Sequence, residues 1–289
     1  MLQEWLKIFP WLVEQNTKGI ISEDGEVKHV VSFVLNKNIG ALCFILWPLL
    51  CLTYLWFGKA WRWHLILGIL AATILLTAMS ASETAKVGLL LSLITFALMY
   101  FAIRHHIIHF TIKMIWIAAF VFTIPLMSLP FNLGLHQSDW LPFSARDRIY
   151  IWSYTAEHIS DHMLFGIGIR STRTHQKSFE KTHNGQKAGA LQKRPGWHAH
   201  NLFLQTWYEM GLIGAAILTT LGLAILSLIS RLVEEIQTFA YSGFVMALTL
   251  FSFGWGMWQS WLLASAMLCI IAFALANEFL QRKTPHSSY

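Results

Sequence analysis

Residues 211–230 read GLIGAAILTTLGLAILSLIS, an apolar run of 20 residues without a charged side chain. A helix of about 20 apolar residues is long enough to cross the hydrocarbon core of a bilayer. Working outward from this run, we find six more of similar character. The seven predicted spans cover roughly residues 39–57, 63–80, 86–103, 112–130, 211–230, 239–256 and 259–278. Backbone polar groups must be paired inside a membrane, so the sequence predicts an all-α polytopic membrane protein.

The composition agrees with this fold class. Of the 289 residues, 55% are hydrophobic and only 12% are charged, whereas soluble domains carry about 25% charged residues. The net charge of +6 is not arranged as a basic stripe with interleaved aromatics, so we do not expect a nucleic-acid partner. We interpret residues 1–289 as a single membrane domain with one large hydrophilic loop, residues 131–200.

The basic residues of the short connections predict the orientation. One side of the spans receives Lys59, Arg62, Arg104, Lys113, Arg231, Arg282 and Lys283, and the opposite short loops receive only Lys86. The positive-inside rule places the first group in the cytoplasm. The 131–200 loop then faces the periplasm of a Gram-negative inner membrane. The N-terminal stretch 1–38 falls on the same outer side, and its first residues predict an amphipathic helix rather than a secretory signal.

The 131–200 loop carries seven of the thirteen histidines and nine of the twenty-one lysines and arginines. Residues 146–162 predict an amphipathic helix, whose apolar face consists of Ile149, Trp152, Ala156 and Ile159. The polar stretch 171–197 predicts a mobile loop. A basic loop on a membrane surface suits an anionic lipid-linked substrate, although a solvated loop without a ligand is the alternative.

Two histidines open the stretch HAHNLFLQTWYEMGLIG, residues 198–214. A metal site would use both His198 and His200, but no cysteine or acidic third ligand stands nearby in sequence, so we predict no metal. A structural histidine at a helix start and a general base are the other two interpretations. Asn201 could orient the ring or bind substrate, or it could be the N-cap of the helix. The small residues Gly211, Gly214 and Gly222 predict close packing of this helix.

Arginines of the same loop are the best candidates for phosphate ligands, because the guanidinium group is always charged and binds oxygens in pairs. These candidates are Arg146, Arg148 and Arg170. Arg146 and Arg148 flank Asp147, so we expect only one of them to point toward a substrate. Lys86 could contact phosphate or pair with Glu83 one helical turn away. The Gly166-Ile-Gly168 stretch predicts a turn.

These residues resemble the Wzy-C superfamily of O-antigen ligases and related bacterial O-oligosaccharyltransferases. The resemblance extends over about residues 34–275. It is carried by His200-Asn201 followed after nine residues by Gly211-Leu-Ile-Gly214, by Arg148-x-x-x-Trp152, by HMLFGIGI (162–169), by VLNKNIGALC (34–43) and by GMWQSWLLASAML (256–268). The chain departs from the family in having Ser82-Glu83 where Ser-Arg or Ser-Lys is usual. It also has fewer spans, which implies further spans before residue 1.

The resemblance implies a glycosyl transfer that needs neither metal nor cofactor. The donor would be a glycan on undecaprenyl pyrophosphate, and the acceptor a sugar hydroxyl of lipid A–core or another glycan. By this resemblance His200 would activate the acceptor hydroxyl or assist its alignment, and Arg148, then Arg170, would hold the pyrophosphate. We add Arg146, Asn201, His198 and Lys86 as candidate substrate contacts.

Other functions remain open from the sequence. An O-antigen polymerase or a protein O-oligosaccharyltransferase would share the fold and differ in the acceptor. A non-enzymatic polysaccharide exporter is the alternative from another class. An exporter is expected to carry polar residues in mid-membrane, whereas the predicted spans are nearly bare of charge.

Overall fold

The computed structural model describes residues 20–21, 27–29, 32–101, 105–182 and 191–283. Within these ranges the strands β1 (Ile20–Ile21) and β2 (Val27–His29) pair antiparallel. The helices are α1 (Ser32–Trp56), α2 (Lys59–Met79), α3 (Glu83–Phe101), α4 (His105–Val121), α5 (Thr123–Asn132), α6 (Phe143–Glu157), α7 (Thr172–Thr182), α8 (Leu202–Ile229), α9 (Glu234–Phe253) and α10 (Ser260–Lys283). The amphipathic helix expected at the start of the chain lies outside the described residues.

Six of these helices, α1, α2, α3, α8, α9 and α10, are long and apolar enough to cross a membrane. The bent pair α4 and α5 provides a seventh span if the two helices are counted as one. Each of the seven predicted spans falls on one of these segments. The all-α polytopic fold is therefore confirmed, with a two-stranded ribbon before the first span.

The span predicted over 112–130 consists of two helices, because α4 and α5 meet at Phe122 with a bend of 69°. Pro125 explains the bend. Proline has no N–H to donate to the carbonyl four residues earlier, and its ring crowds that carbonyl. The carbonyl oxygen of Phe120, beside the bend, accepts a hydrogen bond of 2.9 Å from the indole nitrogen of Trp207. The bend is thus held by α8.

The chain divides into two compact units. The first comprises residues 1–102, 232–250 and 261–289, and contains α1, α2, α3, α10 and most of α9. Its core is apolar and partly aromatic. The fully buried Trp47 stacks on Phe96 with ring centroids 5.2 Å apart.

The second unit comprises residues 103–231 and 251–260. It contains α4 to α8 and all predicted site residues except Lys86. One core cluster of this unit consists of Ala156, Ile159, Ala199, Leu204 and Tyr208. The apolar face predicted for the amphipathic helix is confirmed, because Ile149, Ala156 and Ile159 are buried and Trp152 packs on the cluster. The helix itself is α6, followed by a short 3-10 turn at Ser160–His162.

The prediction of a mobile loop over 171–197 is wrong for its first part, where Thr172–Thr182 form α7. Two contacts explain why this polar sequence becomes a helix. The side chain of Gln176 donates to Glu180 at 2.7 Å, one turn along the helix, a spacing that stabilises helices. Phe179 packs edge-on against Tyr154 of α6, with centroids 6.0 Å apart.

A glycine in α8 permits close packing with α4, and this contact can be tested. A Cβ on Gly222 would lie 2.1 Å from the indole ring of Trp116, whose nitrogen donates to the carbonyl oxygen of Thr219 at 3.0 Å. We expect Gly222→Ala to destabilise the protein by roughly 1–3 kcal/mol, the usual cost of overpacking. The thermal unfolding midpoint in detergent measures this.

The matched control is Gly68→Ala in α2, where nothing lies within 4 Å of the added Cβ. Alanine favours helix over glycine, so the midpoint of this control should stay unchanged or rise. An equal loss in both variants would contradict the packing role of Gly222.

Candidate functional site

Helix α8 is broken at Gly211, where the backbone takes φ 61° and ψ −156° inside an otherwise helical run. The helix begins at Leu202, well before the start at residue 211 predicted from hydropathy. Residues 163–168, which we call the inserted turn, lie along the break. They belong to the HMLFGIGI stretch that carries part of the family resemblance.

Four hydrogen bonds join the inserted turn to both sides of the break. The pairs are Ile167 N with Tyr208 O and Gly168 N with Glu209 O, both at 2.9 Å, and Leu212 N with Met163 O and Ile213 N with Leu164 O, at 2.8 and 3.3 Å. Backbone groups that a break releases in apolar surroundings cost free energy unless they are paired. The inserted turn supplies these partners, so each segment depends on the other.

Two glycines are required by this close approach. A Cβ on Gly166 would lie 2.3 Å from the carbonyl carbon of Glu209, and a Cβ on Gly211 would lie 2.5 Å from the carbonyl of Leu164. Both glycines have positive φ, 68° and 61°, a conformation that glycine adopts without steric cost. The predicted close packing at Gly211 is therefore confirmed, with the inserted turn as its partner, and the predicted turn at Gly166–Gly168 is also confirmed.

The buried carboxylate of Glu209, 1% exposed, connects the break to its surroundings. It accepts four hydrogen bonds, from Thr172 Oγ1 at 2.6 Å, Gln205 Nε2 at 3.1 Å, the Arg170 backbone nitrogen at 2.9 Å and Trp258 Nε1 at 2.5 Å. A buried carboxylate is tolerated when donors surround it in this way. Glu209 thus fixes the residues after the inserted turn and the segment before α10 onto α8.

His200 lies just before α8, with a left-handed backbone conformation of φ 52°. Its Nδ1 is 2.9 Å from the carbonyl oxygen of Gly254. A carbonyl oxygen can only accept, so a neutral ring carries its proton on Nδ1 and its lone pair on Nε2. The ring of His198 lies beside it, with centroids 3.9 Å apart. Gly256 permits this approach, because a Cβ there would lie 2.8 Å from the ring of His198.

Arg148 binds the neighbouring carbonyl. Its Nη1 donates to the carbonyl oxygen of Phe253 at 2.7 Å, one residue before the carbonyl that His200 uses. Both side chains therefore meet the C-terminal end of α9. The last carbonyls of a helix have no N–H partner within it, and the C-terminal end of the helix dipole carries partial negative charge. Both effects favour a cation at this position. The structure thus brings together Arg148, His198 and His200, the cluster that we call the His–Arg site.

Asp147, between the two predicted arginines, is bound by Arg194, a residue that the sequence analysis missed. Arg194 is 4% exposed, and its Nη2 lies 2.7 and 2.8 Å from the two carboxylate oxygens. Arg146 instead points to Asp139, with 3.7 Å between Nη1 and Oδ1. Only Arg148 of the flanking pair meets the histidines, and which of the two points toward a substrate stays a prediction. No motif marked Arg194, because its partner is 47 residues away in sequence.

Burial and positive neighbours lower the pKa values at the His–Arg site. Desolvation, helped by the Arg148 guanidinium, lowers the pKa of His198 to about 4. Desolvation also holds the pKa of His200 well below its ordinary value, with His198 and Arg148 acting in the same direction. The Gly254 hydrogen bond opposes this shift but does not reverse it. Both rings are therefore neutral at neutral pH.

The buried side chain of Asn201 and the partly buried side chain of Trp152 shape the loop that enters α8. Asn201 is the N-cap, since its Oδ1 accepts from the backbone nitrogen of Leu204 at 2.9 Å and its Nδ2 lies 3.3 Å from the sulfur of Met127. The indole nitrogen of Trp152 donates to the carbonyl oxygen of Ala199 at 2.8 Å. The capping interpretation of Asn201 is confirmed, and its contact with substrate stays a prediction.

The other two predicted residues, Arg170 and Lys86, make their described contacts with residues other than the histidines. The side chain of Arg170 is exposed, while its backbone binds Glu209. Lys86 belongs to the first unit, and its Nζ pairs with Glu83 at 2.8 Å, as one interpretation predicted. In the described part of the chain, no three or more His, Cys, Asp or Glu residues are grouped so as to hold a metal ion.

Residues 66–219, more than half of the chain, match the family described as O-antigen ligase (Wzy-C). The chain belongs to the O-antigen ligase family. This confirms the resemblance predicted from the motifs. The matched range includes Arg148, the inserted turn and both histidines of the His–Arg site.

Individual relatives of this O-antigen ligase family member are bacterial. A protein of Rickettsia conorii named "Putative polysaccharide ligase" is 26% identical over 135 residues, and a protein of Rickettsia bellii with the same description is 29% identical over 135 residues. Each match covers 46% of this chain and 32% of the relative, so the chain spans about a third of the length of these curated relatives. No solved structure matches the chain.

The close approach at the helix break predicts a large effect of Gly211→Ala. The added Cβ meets the Leu164 backbone at 2.5 Å, and the alanine at position 211 must adopt a positive φ. We expect this ligase-family chain to lose its stable fold or most of its thermal stability, measured by the unfolding midpoint in detergent.

Gly134→Ala separates the two causes. Gly134 also has a positive φ, 72°, but nothing lies within 4 Å of an added Cβ. Its substitution should cost only the backbone strain, roughly 1–2 kcal/mol. If both alanine variants lose the same stability, the contact with the inserted turn is not what requires glycine at 211.

The lowered pKa of His198 predicts acid sensitivity. The unfolded chain binds a proton at this ring near the ordinary value of 6.5, whereas the folded chain binds it only near 4. Stability should therefore fall as the pH falls from about 6.5 to about 4, by roughly 1–3 kcal/mol for this group. His198→Gln should make that part of the stability–pH curve less steep, and the slope that remains is expected from His200, whose pKa is also lowered. The control is His162→Gln, at an exposed histidine of the same loop, and an equal loss of slope in this control would contradict the assignment.

Proposed function

We propose that this chain is a membrane glycosyltransferase that moves a glycan from undecaprenyl pyrophosphate to a sugar hydroxyl of lipid A–core. One observation supports the roles that we propose for the residues. A cation, Arg148, and a neutral base, His200, bind successive carbonyls at the end of α9. Membership of the O-antigen ligase family supports the class of reaction.

In this proposal His200 acts as the general base. The acceptor hydroxyl attacks the anomeric carbon of the glycan and gives its proton to Nε2, the nitrogen that carries the lone pair. The Gly254 carbonyl holds the other nitrogen and so fixes the ring. Because the pKa of His200 is low, the ring stays unprotonated before reaction. An incoming diphosphate would raise its proton affinity, since an anion favours the protonated ring.

The leaving group is the lipid-linked diphosphate, which departs with the electron pair of the broken bond between the anomeric carbon and oxygen. Arg148 stabilises the charge that develops on it. Two buried nitrogens of the same region, Arg194 Nε and His198 Nε2, have no hydrogen-bond partner among the described residues. These nitrogens add capacity to bind the substrates. Arg170, with its exposed side chain, is the second proposed ligand of the donor.

We place the reaction on the periplasmic side of the inner membrane, as the distribution of basic residues predicts. The proposal requires neither a metal nor a cofactor, because acid–base transfer and charge stabilisation are supplied by side chains. Arg146, Asn201 and Lys86 are kept as proposed substrate contacts with smaller expected effects.

The test is a lipopolysaccharide gel from a ligase-deficient host that carries this chain. Wild type should restore a ladder on lipid A–core, and His200→Ala should reduce transfer by roughly 100-fold or more, the usual range for a lost general base. Arg148→Ala should raise the donor concentration needed. The matched control is His158→Ala, since His158 also binds a carbonyl through Nδ1, that of Tyr154 at 2.8 Å.

Expression of all variants is compared by immunoblot, and purified chain is assayed in liposomes with added chelator. Restoration by His200→Ala at wild-type level would contradict its role as a base. Loss of transfer with chelator would contradict metal independence. A product that is elongated on the donor lipid would indicate a polymerase, and a glycosylated protein would indicate an oligosaccharyltransferase.

A further inference from the structure

The inserted turn and the residue after it expose a group of large apolar side chains. These are Met163, Leu164, Phe165 and Ile169, with Phe165 at 69% and Ile169 at 61% exposure. The same segment also has an inner apolar side, since Ile167 packs on the core cluster of the second unit. The turn is therefore firmly held, while its outer side chains are not buried by the part of the chain that the structure describes. A tight group of exposed apolar residues marks an interaction surface.

This surface continues an exposed apolar side of α8. The carbonyls of Met163 and Leu164 accept from the N–H groups of Leu212 and Ile213. The side chains of Leu212 and Ile213 are exposed, as are those of Ile217 and Leu221 further along the same membrane-spanning helix. The tip of the turn thus adjoins the exposed apolar side of a helix that is long and apolar enough to cross a membrane.

Polar residues flank the apolar tip on both sides. Residues 160–162, Ser-Asp-His, come immediately before it and are exposed, and the exposed Arg170 comes immediately after Ile169. Segments that rest in a membrane interface show this order, with apolar side chains in hydrocarbon and charged groups at the level of the head groups.

We propose that the inserted turn, together with Ile169, is a membrane anchor. Its four outer side chains enter the hydrocarbon of the bilayer leaflet next to the His–Arg site. The occupant is bulk lipid rather than a protein partner. The anchor would hold the Arg170 guanidinium at the level of the lipid phosphates.

The anchor also fixes the height of the His–Arg site. The backbone nitrogen of Arg170 donates to the carboxylate of Glu209. Glu209 lies in the first segment of α8, and this segment begins two residues after His200. For a donor whose pyrophosphate sits at the membrane surface, this height brings the reacting bond to the base. This second statement rests on the proposed function, whereas the insertion of the turn does not.

The insertion is tested by spin labelling of Phe165→Cys in liposomes without donor. Collision with oxygen, which concentrates in hydrocarbon, should be frequent, and collision with a water-soluble nickel chelate should be rare. Asp161→Cys, exposed just before the tip, should show the opposite order. Wild-type protein taken through the same labelling gives the background from Cys43, Cys51 and Cys269. Met163→Cys is a second site if the first variant does not fold.

Free access of the nickel chelate to both tip labels would overturn the anchor. Protection that develops only after donor is added would also overturn it, in favour of the lipid tail of the donor as occupant. A label that neither reagent reaches would show that protein covers the tip, with the same consequence.

The effect on height is tested separately by transfer assays. Phe165→Ser should raise KM severalfold for a long-chain lipid donor and leave kcat nearly unchanged, while Phe165→Leu should behave as wild type. A short, water-soluble donor analogue should show no difference between the two variants. Equal KM values with the long-chain donor would overturn the height argument and leave the anchor standing. If wild type transfers nothing, the proposed function fails, and the label accessibilities still decide the insertion.

Discussion

A helix that breaks within or near a membrane must find hydrogen-bond partners for the groups that the break releases, and at Gly211 this requirement organises the second unit. The inserted turn supplies four backbone partners. Glu209 then accepts hydrogen bonds from three segments of the chain, at Arg170 and Thr172, at Gln205 and at Trp258. Without the break, α8 would continue as one rod. With the break, the short segment 202–210, which follows His200, is kinked relative to the rest of α8.

The His–Arg site rests on main-chain acceptors rather than on a carboxylate. In a Ser-His-Asp arrangement, an aspartate orients the histidine and stabilises its protonated form. Here the carbonyl of Gly254 orients His200, and the nearby charges are positive. The ring is therefore fixed in direction but kept neutral. Asp147, the nearest acid in sequence to Arg148, is bound by Arg194, which leaves Arg148 available for the end of α9.

Much of the fold follows from the sequence because length and hydropathy alone decide which segments cross a membrane. The spans, the apolar face of α6 and the Asn201 cap all rest on local patterns. The bend at Phe122 had a local signal too, in Pro125. The role of Gly211 did not, since a small residue in a membrane helix suits a neighbouring helix or a neighbouring turn equally well. The Arg194–Asp147 pair could not be foreseen, because nothing in either segment specifies the other.

The hydrogen bonds that Arg148 and Trp152 of α6 make limit where residues can be inserted into this helix. Arg148 and Trp152 are four residues apart, on one face of the helix, and bind the carbonyls of Phe253 and Ala199. One residue inserted between them would rotate one side chain by about 100° relative to the other, since a turn holds about 3.6 residues. One of the two bonds would then be lost. Residues added between 152 and 199 enter neither bond. The spacing of Arg148 and Trp152 along the helix is therefore fixed, whereas the chain between 152 and 199 is constrained by other contacts, above all the pairing of the inserted turn with α8.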